Sequence, residues 1–127
     1  MKIKESGENY LETILMLSKQ KKYVRSIDIA NDLGFSKASV SVAMKAFRED
    51  GYITINDDGG ITLTPKGLSI AQKMCERHDI IARALMHLGV SEENAYIDSC
   101  KIEHDISEES FEKIKGFLVK KGILPES

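Results

Sequence analysis

Long apolar runs and a cysteine framework are both missing from this sequence. No apolar segment of the 127 residues approaches the roughly 18–20 residues that a bilayer-spanning helix needs, so we expect no membrane contact. Residues 1–5 lack the apolar core of a signal peptide, which indicates a cytoplasmic protein. The two cysteines, Cys75 and Cys100, are too few for a disulfide framework, and in a reducing compartment Cys100 is available as a thiolate ligand.

The sequence also lacks a strong excess of basic residues. Its formal net charge is −2, with 10 Lys and Arg against 9 Asp and Glu in residues 1–70, and 8 against 11 in residues 71–127. This asymmetry is too mild to indicate nucleic-acid binding by itself, because DNA-binding domains usually carry a clear basic patch. A hydrophobic fraction of 42% and a charged fraction of 30% are ordinary for one compact unit, or for two small ones that share a core.

Three helices and a β-hairpin are predicted in the first half of the chain. Ser26 and Ser36 each precede an apolar-periodic segment and are expected to cap the second and third helices. The loop Asn56–Gly60 contains two aspartates and two glycines between β-rich runs, which is typical of a hairpin. The helices are expected over about 8–19, 27–33 and 37–50, and the strands over about 52–55 and 61–63. This order of elements is that of a winged helix-turn-helix domain.

Three further helices are predicted in the second half, over about 65–88, 92–105 and 108–121. Thr64 is the expected N-cap of the first of them, with Pro65 at its first helical position. The apolar stripes of the last helices exceed what a small monomeric domain needs, and recognition of two half-sites favours two-fold symmetry, so we expect a homodimer. The fold class is therefore mainly α, with a winged helix-turn-helix domain at 1–64 and a helical domain at 65–127.

The third predicted helix is the candidate recognition helix. Val40, Met44 and Phe47 recur at spacings of four and three residues and are expected to be buried, so the opposite face points outward. A recognition helix reads base edges in the major groove of double-stranded DNA, mainly through its N-terminal residues. The alternative is a solvated helix that a winged domain uses only for protein contacts. The candidate DNA-binding residues are Ser36, Lys37, Ser39, Ser41, Val42, Lys45 and Arg48.

A thiol, a carboxylate and an imidazole stand close together in the fifth predicted helix. Cys100 is followed by Glu103 and His104 at offsets of three and four residues, which puts all three on one helical face. These groups are common ligands of first-row divalent metals. Two plainer alternatives exist: Glu103 and His104 as surface polar residues, and Cys100 as a small buried apolar residue. The thiol favours the metal interpretation, because cysteine is not a usual surface residue.

In addition, the chain resembles the diphtheria toxin repressor / manganese transport regulator family of metal-dependent repressors. The resemblance covers nearly the whole chain and is most specific in its last two segments. It is carried by Glu8–Glu12, Asp28–Ala30, Ser39–Ser41, Leu63–Gly67, Arg77–His78 and Cys100–His104. It implies a winged helix-turn-helix followed by a helical metal-binding and dimerisation domain. It also implies that bound metal switches on operator binding. Because the sequence stops at Ser127, we expect no SH3-like third domain.

The same resemblance implies six metal-ligand positions, which fall on Asn9, Glu12, His78, Cys100, Glu103 and His104. Cys100 resembles the iron-responsive branch of the family, whereas Glu12 and His78 resemble the manganese-responsive branch. Asn9 departs from the Met or Asp found there in both branches. The implied effector is Fe(II) or Mn(II), with Zn, Co, Ni or Cd as surrogates. The implied partners are a double-stranded DNA operator and a second copy of the chain.

Two other functions fit parts of the sequence. A metal-dependent enzyme could use the same cluster, with Asp79 or Asp105 as acid or base, but no catalytic motif stands out and the helix-turn-helix would be unexplained. A winged-helix regulator that senses oxidation or a small organic ligand could use Cys100 as a redox thiol. We expect a transcriptional repressor of metal-ion homeostasis, responsive to iron or manganese, and not an enzyme.

Overall fold

The structure, a computed structural model, describes residues 5–125, with side chains described from residue 7 onward. Within this range six helices and one antiparallel hairpin confirm the mainly α fold and the winged helix-turn-helix order predicted from the sequence. In chain order the elements are α1 (Glu5–Ser18), α2 (Ser26–Leu33), α3 (Lys37–Glu49), β1 (Ile53–Ile55), β2 (Ile61–Leu63), α4 (Pro65–His87), α5 (Glu92–Ile102) and α6 (Glu108–Lys120).

Two compact units make up the chain, one ending at Lys73 and one beginning at Met74, so helix α4 contributes residues to both. This division does not decide the roles predicted for residues 1–64 and 65–127, which stay predictions. No helix in the described range is both long and apolar enough to cross a membrane.

A mostly apolar core holds the first unit together. The rings of Tyr10 and Phe47 meet edge to face with centroids 5.8 Å apart, and those of Phe47 and Tyr52 do the same at 6.2 Å. These rings tie α1 to α3 and to the residue before β1. The apolar core comprises Tyr10, Leu11, Ile14, Leu17, Val24, Ile29, Ala30, Val40, Met44, Phe47, Tyr52, Ile53, Ile61 and Ala71.

The two helices of the helix-turn-helix are capped differently, and only one cap is the predicted one. Ser36 caps α3 as predicted, since its hydroxyl oxygen accepts a hydrogen bond of 3.1 Å from the backbone N–H of Ser39. Helix α2 begins at Ser26 itself, so the prediction that Ser26 is its N-cap is wrong. Arg25 occupies that position, and the Asp28 carboxylate accepts its backbone N–H at 3.0 Å. The acidic side chain at the third helical position thus supplies the cap.

The wing is the hairpin formed by β1 and β2. Ile53 lies opposite Leu63, and Ile55 lies opposite Ile61. The backbone N–H of Ile61 also donates a hydrogen bond of 2.7 Å to the carbonyl oxygen of Val24, in the segment between α1 and α2. The hairpin is therefore paired to the rest of the first unit at one residue of its second strand.

Helix α4 starts with Pro65 as predicted, and its start is bonded to the segment that leads into the wing. The Thr64 hydroxyl donates a hydrogen bond of 2.7 Å to the carbonyl oxygen of Gly51. It also accepts a hydrogen bond of 3.2 Å from the backbone N–H of Gly67. A Cβ atom at position 67 would overlap the carbonyl oxygen of Tyr52, so only glycine permits this close approach.

The second unit is built from the C-terminal part of α4 with α5 and α6. Ser91 and Ser107 cap α5 and α6, each accepting a hydrogen bond from the backbone N–H three residues later. Polar groups are buried here as well, namely those of Arg77, Ser99 and Glu103. The apolar cluster of this unit is small and consists of Ile80, Ile81, Phe111 and Leu118.

Candidate metal centre and DNA-binding helix

Four of the six predicted metal ligands meet inside the second unit. The Nδ1 atom of His78 lies 3.0 Å from Oε2 of Glu103 and 3.5 Å from Sγ of Cys100. The second carboxylate oxygen of Glu103, Oε1, lies 3.2 Å from Nε2 of His104. The glutamate therefore contacts an imidazole with each of its oxygens, and the thiol adjoins one of these imidazoles.

Burial makes this cluster unlike a surface group of polar residues. The side chains of Glu103 and His104 are both 0% exposed, and that of His78 is 17% exposed. A carboxylate leaves water at a large cost unless cations or hydrogen-bond donors compensate it. Two imidazoles, a carboxylate and a thiol form a donor set that suits a first-row divalent metal, so the residues present fit such an ion.

The end of α5 brings Cys100, Glu103 and His104 to the cluster, although the helix is shorter than predicted. It ends at Ile102, so the expectation that it continues to about residue 105 is wrong. Glu103 follows as the C-cap, with φ −57° and ψ −27°, and its backbone N–H donates to the carbonyl oxygen of Ser99 at 2.9 Å. Because Glu103 keeps helical geometry, it still lies one turn beyond Cys100, as the spacing predicted.

The ring of His78 is held from a second side by Ser99. The Ser99 hydroxyl donates to the carbonyl oxygen of Tyr96 at 3.1 Å, and its oxygen lies 3.0 Å from Nδ1 of His78. The hydroxyl proton is therefore used elsewhere, which leaves the oxygen to accept from a protonated Nδ1. The Tyr96 ring adds a contact with a centroid distance of 5.5 Å. Cys100 is the one exposed residue of the cluster.

The two remaining predicted ligands, Asn9 and Glu12, lie one turn apart on α1 in the first unit. Glu12 is buried, with 6% of its surface exposed, and Asn9 is partly buried. Burial of Glu12 is uncommon for a carboxylate and is compatible with a ligand role. Its participation with the ligands of the second unit stays a prediction.

The candidate recognition helix α3 has one face in the core and the other in solvent. Val40, Met44 and Phe47 are buried as predicted. Val42 is 72% exposed, which is unusual for a valine within a helix and leaves its methyl groups available to a partner. All seven predicted DNA-binding residues are exposed, and they are Ser36, Lys37, Ser39, Ser41, Val42, Lys45 and Arg48.

The tip of the wing is acidic, and one of its aspartates contacts an arginine of the same unit. Asp57 and Asp58 are both exposed. The Arg25 side chain donates from Nε to the carbonyl oxygen of Asp58 at 3.3 Å, and its Nη2 lies 3.9 Å from the Asp58 carboxylate. An acidic tip repels phosphate, which leaves α3 as the main candidate for the contact with DNA.

Sequence reasoning assigned no role to two residues of the second unit that contact the cluster. Ser99 touches His78, and Arg77 donates to the carbonyl oxygen of Glu103 at 3.0 Å. The only available signal was the position of Arg77 directly before His78 in a family-like segment. A serine or an arginine on a helix does not reveal its partner until the packing of the helices is known.

Two family models match the chain and together cover nearly all of it. The model described as iron dependent repressor, N-terminal DNA binding domain, matches residues 2–61. The model described as iron dependent repressor, metal binding and dimerisation domain, matches residues 64–121. The first match contains the candidate recognition helix, and the second contains the four clustered residues.

Individual relatives agree with these matches. The HTH-type transcriptional regulator MntR of Geobacillus kaustophilus is 38% identical over 115 residues, which are 91% of this chain and 81% of that protein. The solved structure of the manganese regulator SloR is 26% identical, with a TM-score of 0.76 over 93% of this chain and 54% of that one. The structure of T. acidophilum IdeR, 24% identical, has the same fold, with a TM-score of 0.80 over 96% of this chain and 55% of that one. This chain therefore spans about half of each of these two solved chains.

Proposed function

The chain belongs to the iron-dependent repressor family, that of the diphtheria toxin and manganese transport repressors, and from this premise we propose how it couples metal to DNA. It is a metal-dependent DNA-binding transcriptional regulator and not an enzyme. We propose that its effector is Fe(II) or Mn(II), that it represses genes of metal-ion homeostasis, and that it acts in the cytoplasm. The alternatives of a metal-dependent enzyme and of a redox or small-ligand sensor are not favoured by its relatives.

The proposed metal ligands in the second unit are His78, Cys100, Glu103 and His104. The observation that carries this proposal is the buried Glu103 carboxylate between two imidazoles, at 3.0 and 3.2 Å. A bound divalent ion supplies the positive charge that such a carboxylate needs in the interior. The ligands bind metal in their deprotonated forms, so metal affinity should fall in acid.

Helix α1 supplies the remaining proposed ligand, Glu12, and Asn9 could add a neutral side-chain oxygen. Ligands drawn from both units would make metal binding and the state of the DNA-binding unit depend on each other. A ligand that prefers one of two states shifts the population toward that state, which is what a switch requires. We therefore propose that Glu12 connects the metal centre to the winged domain.

The ligand set favours iron over manganese in this proposal. A thiolate is a soft ligand that prefers Fe(II), Co, Ni, Cd or Zn, whereas Mn(II) prefers oxygen ligands. Cys100 is exposed, and its Sγ lies 3.5 Å from Nδ1 of His78, so the thiol adjoins the other proposed ligands. We propose Fe(II) as the natural effector, with Mn(II) second and the other metals as surrogates.

Helix α3 is the proposed reader of the operator. Lys37, Lys45 and Arg48 are exposed cations that suit phosphates or guanine edges. The small hydroxyls of Ser39 and Ser41 permit a close approach to DNA. Val42 presents its methyl groups to solvent, and an apolar side chain in the major groove recognises the methyl group of thymine. These side chains are not needed by the core, so they are free to determine DNA affinity and sequence preference.

A homodimer is the proposed assembly, formed mainly by residues beyond Thr64. The second unit exposes large apolar side chains, with Leu88 78%, Ile97 48% and Phe117 48% exposed. An apolar groove of about 450 Å³ lies between α4 and α6 and includes Leu88 and Phe117. A two-fold dimer would present two recognition helices to successive major grooves, about 34 Å apart. Residues 1–64 would then bind DNA, and residues 65–127 would bind metal and the second copy.

The test of metal-dependent DNA binding does not require a known operator. The purified chain would select duplexes from a random-sequence pool in the presence of Mn(II) or, without oxygen, Fe(II). The recovered duplex would then be titrated with the protein in the presence of metal or chelator. We expect binding that requires metal, and equal affinity in chelator and in metal would contradict the proposal. Sedimentation at micromolar concentration tests the dimer, and a monomer in the absence of both metal and DNA would contradict that part.

A further inference from the structure

Arg77 is a buried arginine that donates hydrogen bonds to three acceptors around the end of α5. One terminal nitrogen, Nη1, donates to the carbonyl oxygens of Glu103 and Ile106, each at 3.0 Å. The other, Nη2, donates to Oε2 of Glu108 at 2.7 Å. The guanidinium also lies over the ring of Phe111, 5.2 Å from its centroid, and only 8% of the side chain is exposed.

The need for this arginine follows from the position of its partners at and beyond the end of α5. The last carbonyl groups of a helix have no partner within the helix, and buried ones need donors from elsewhere. The Glu103 carbonyl is buried at this end, and the Ile106 carbonyl lies in the loop that follows. A guanidinium has donors on a rigid fork and can serve two carbonyls and a carboxylate at once. A lysine in its place would offer a single nitrogen at a different position.

We propose that Arg77 positions the metal ligands Glu103 and His104, a role that rests on the proposed metal-dependent function. Glu103 is held at its main chain by Arg77 and at its side chain by His78, the next residue of the same helix. His104 directly follows the restrained carbonyl. Since metal ligands must be held to within about 0.5 Å, loss of the two carbonyl bonds would displace Glu103 and His104 relative to His78.

The test compares the same substitution at two arginines of α4. Arg77→Lys removes the fork but keeps the charge, and Arg83→Lys is the matched control, because Arg83 is 43% exposed and pairs with Asp79 at 3.0 Å. Each protein is titrated with Co(II) alone, without DNA, and the visible absorption spectrum of bound Co(II) is recorded. We expect Arg77→Lys to lose about 10- to 100-fold in Co(II) affinity, as changes next to metal ligands typically do, and to alter the spectrum. Arg83→Lys should match the unmodified chain in both.

A second variant keeps the test decisive if Arg77→Lys does not fold. Glu108 is 55% exposed, and Glu108→Gln removes the charge that Arg77 faces while leaving both carbonyl bonds. Its Co(II) affinity should change by no more than a few-fold, because the glutamine amide oxygen can still accept the hydrogen bond from Nη2 and both carbonyl bonds remain. A tenfold loss in Glu108→Gln, or unchanged affinity and spectrum in folded Arg77→Lys, would overturn the positioning role.

If the proposed metal centre is wrong, the Co(II) titrations give a different result from the one expected if only the role of Arg77 is wrong. His104→Ala, titrated beside the arginine variants, should lose Co(II) binding because it removes a ligand. If the unmodified chain does not bind Co(II), or if His104→Ala binds it equally well, then the metal centre itself is wrong, whatever Arg77 does.

Discussion

The two units of the chain differ in the balance of apolar and charged residues that they bury. The first unit buries Glu12 but has a large, mostly apolar core that includes three aromatic rings, Tyr10, Phe47 and Tyr52. The second unit has a small apolar cluster and buries Arg77 and Glu103 beside it. In the first unit the candidate DNA-binding residues are on the surface of α3, whereas in the second the candidate metal ligands are mostly part of the interior.

The candidate functional residues of α3 therefore lie outside the core, whereas the candidate metal ligands of the second unit are mostly buried. A substitution on the exposed face of α3 should change DNA binding and leave stability almost unchanged, since surface changes rarely exceed about 0.5 kcal/mol. A substitution among the buried polar groups of the second unit removes a partner from a desolvated charge and affects stability and metal binding together. Metal binding and the stability of the second unit should therefore be linked, whereas the exposed residues of α3 should be replaceable without loss of stability.

The largest expected effect comes from removing a buried ligand. In the unmodified chain metal should strengthen DNA binding by about 5- to 150-fold, the usual range for coupling between sites. His104→Ala should reduce this factor to one, because it deletes a proposed ligand without touching α3. Fluorescence anisotropy with a selected duplex, in metal and in chelator, measures both values.

Another histidine of the same unit supplies the control for this prediction. His87 ends α4 and contacts the ring of Phe117 at a centroid distance of 6.1 Å, and it is not one of the four clustered residues. His87→Ala should keep the metal response. A normal response in His104→Ala would mean that the buried cluster does not bind the effector.

A smaller effect is expected at Cys100, the exposed member of the cluster. Cys100→Glu replaces a soft sulfur by oxygen, so the response to Mn(II) should strengthen and the responses to Zn and Co should weaken, by about tenfold in relative affinity. Competition titrations of each metal against a chelator of known affinity provide the measurement. An unchanged order of metal affinities would show that the Cys100 thiolate does not determine which metal the protein prefers.

A substitution on the exposed face of α3 should have a moderate effect that is confined to DNA binding. Lys45→Ala removes an exposed cation of α3, so affinity should fall about equally for all sequences. The slope of log K against log salt should decrease by about one. Lys120→Ala, at the end of α6, is the matched control and should leave the slope unchanged. If both variants behave alike, α3 is not the DNA-binding face.

The smallest expected effect lies in the capping of α2. The hydrogen bond from Lys21, at 2.9 Å, is the main cause that lowers the pKa of Asp28, and the bond from the Arg25 backbone adds to it. Asp28→Asn should cost about 0.3–1 kcal/mol at neutral pH, the range for a charge near a helix N-terminus. Because folding lowers this pKa, the contribution of Asp28 is present above the ordinary carboxyl range and is lost as the pH falls through the lowered value.

Urea denaturation at neutral and acidic pH measures the Asp28 effect. The difference in free energy of unfolding between the unmodified chain and Asp28→Asn should shrink in acid. Asp32→Asn, on the same helix, is the control and should show a much smaller difference at neutral pH. A difference for Asp28 that does not depend on pH would contradict a charge-based contribution.

The fold was largely predictable because local signals are strong at the element ends. Ser36, Pro65 and Ser107 mark helix starts, and the periodicity between them identifies the buried faces correctly on α3. Ser26 misled the prediction because a neighbouring side chain, Asp28, provides the cap instead. Local patterns cannot show which of two adjacent polar residues will accept the hydrogen bond.

The types of the candidate metal ligands were predictable from the sequence, but the contacts that hold these ligands in place were not. Spacing alone relates Cys100 to Glu103, whereas the contact of Glu103 with His78 joins residues 25 positions apart and needs the packing of α4 against α5. The role of Arg77 was not predictable for the same reason, since its partners include backbone carbonyls at and beyond the end of α5, 26 and 29 positions away in the chain.

Reciprocal coupling between metal and operator is the most direct test of a metal-controlled repressor. The affinity of the protein for Fe(II), in the absence of oxygen, would be measured with and without a saturating selected duplex, and the affinity for the duplex with and without saturating Fe(II). Linkage requires the two ratios to be equal, and we expect both to lie at about 5- to 150-fold. An Fe(II) affinity that is the same with and without the duplex would contradict metal control of DNA binding by the proposed effector.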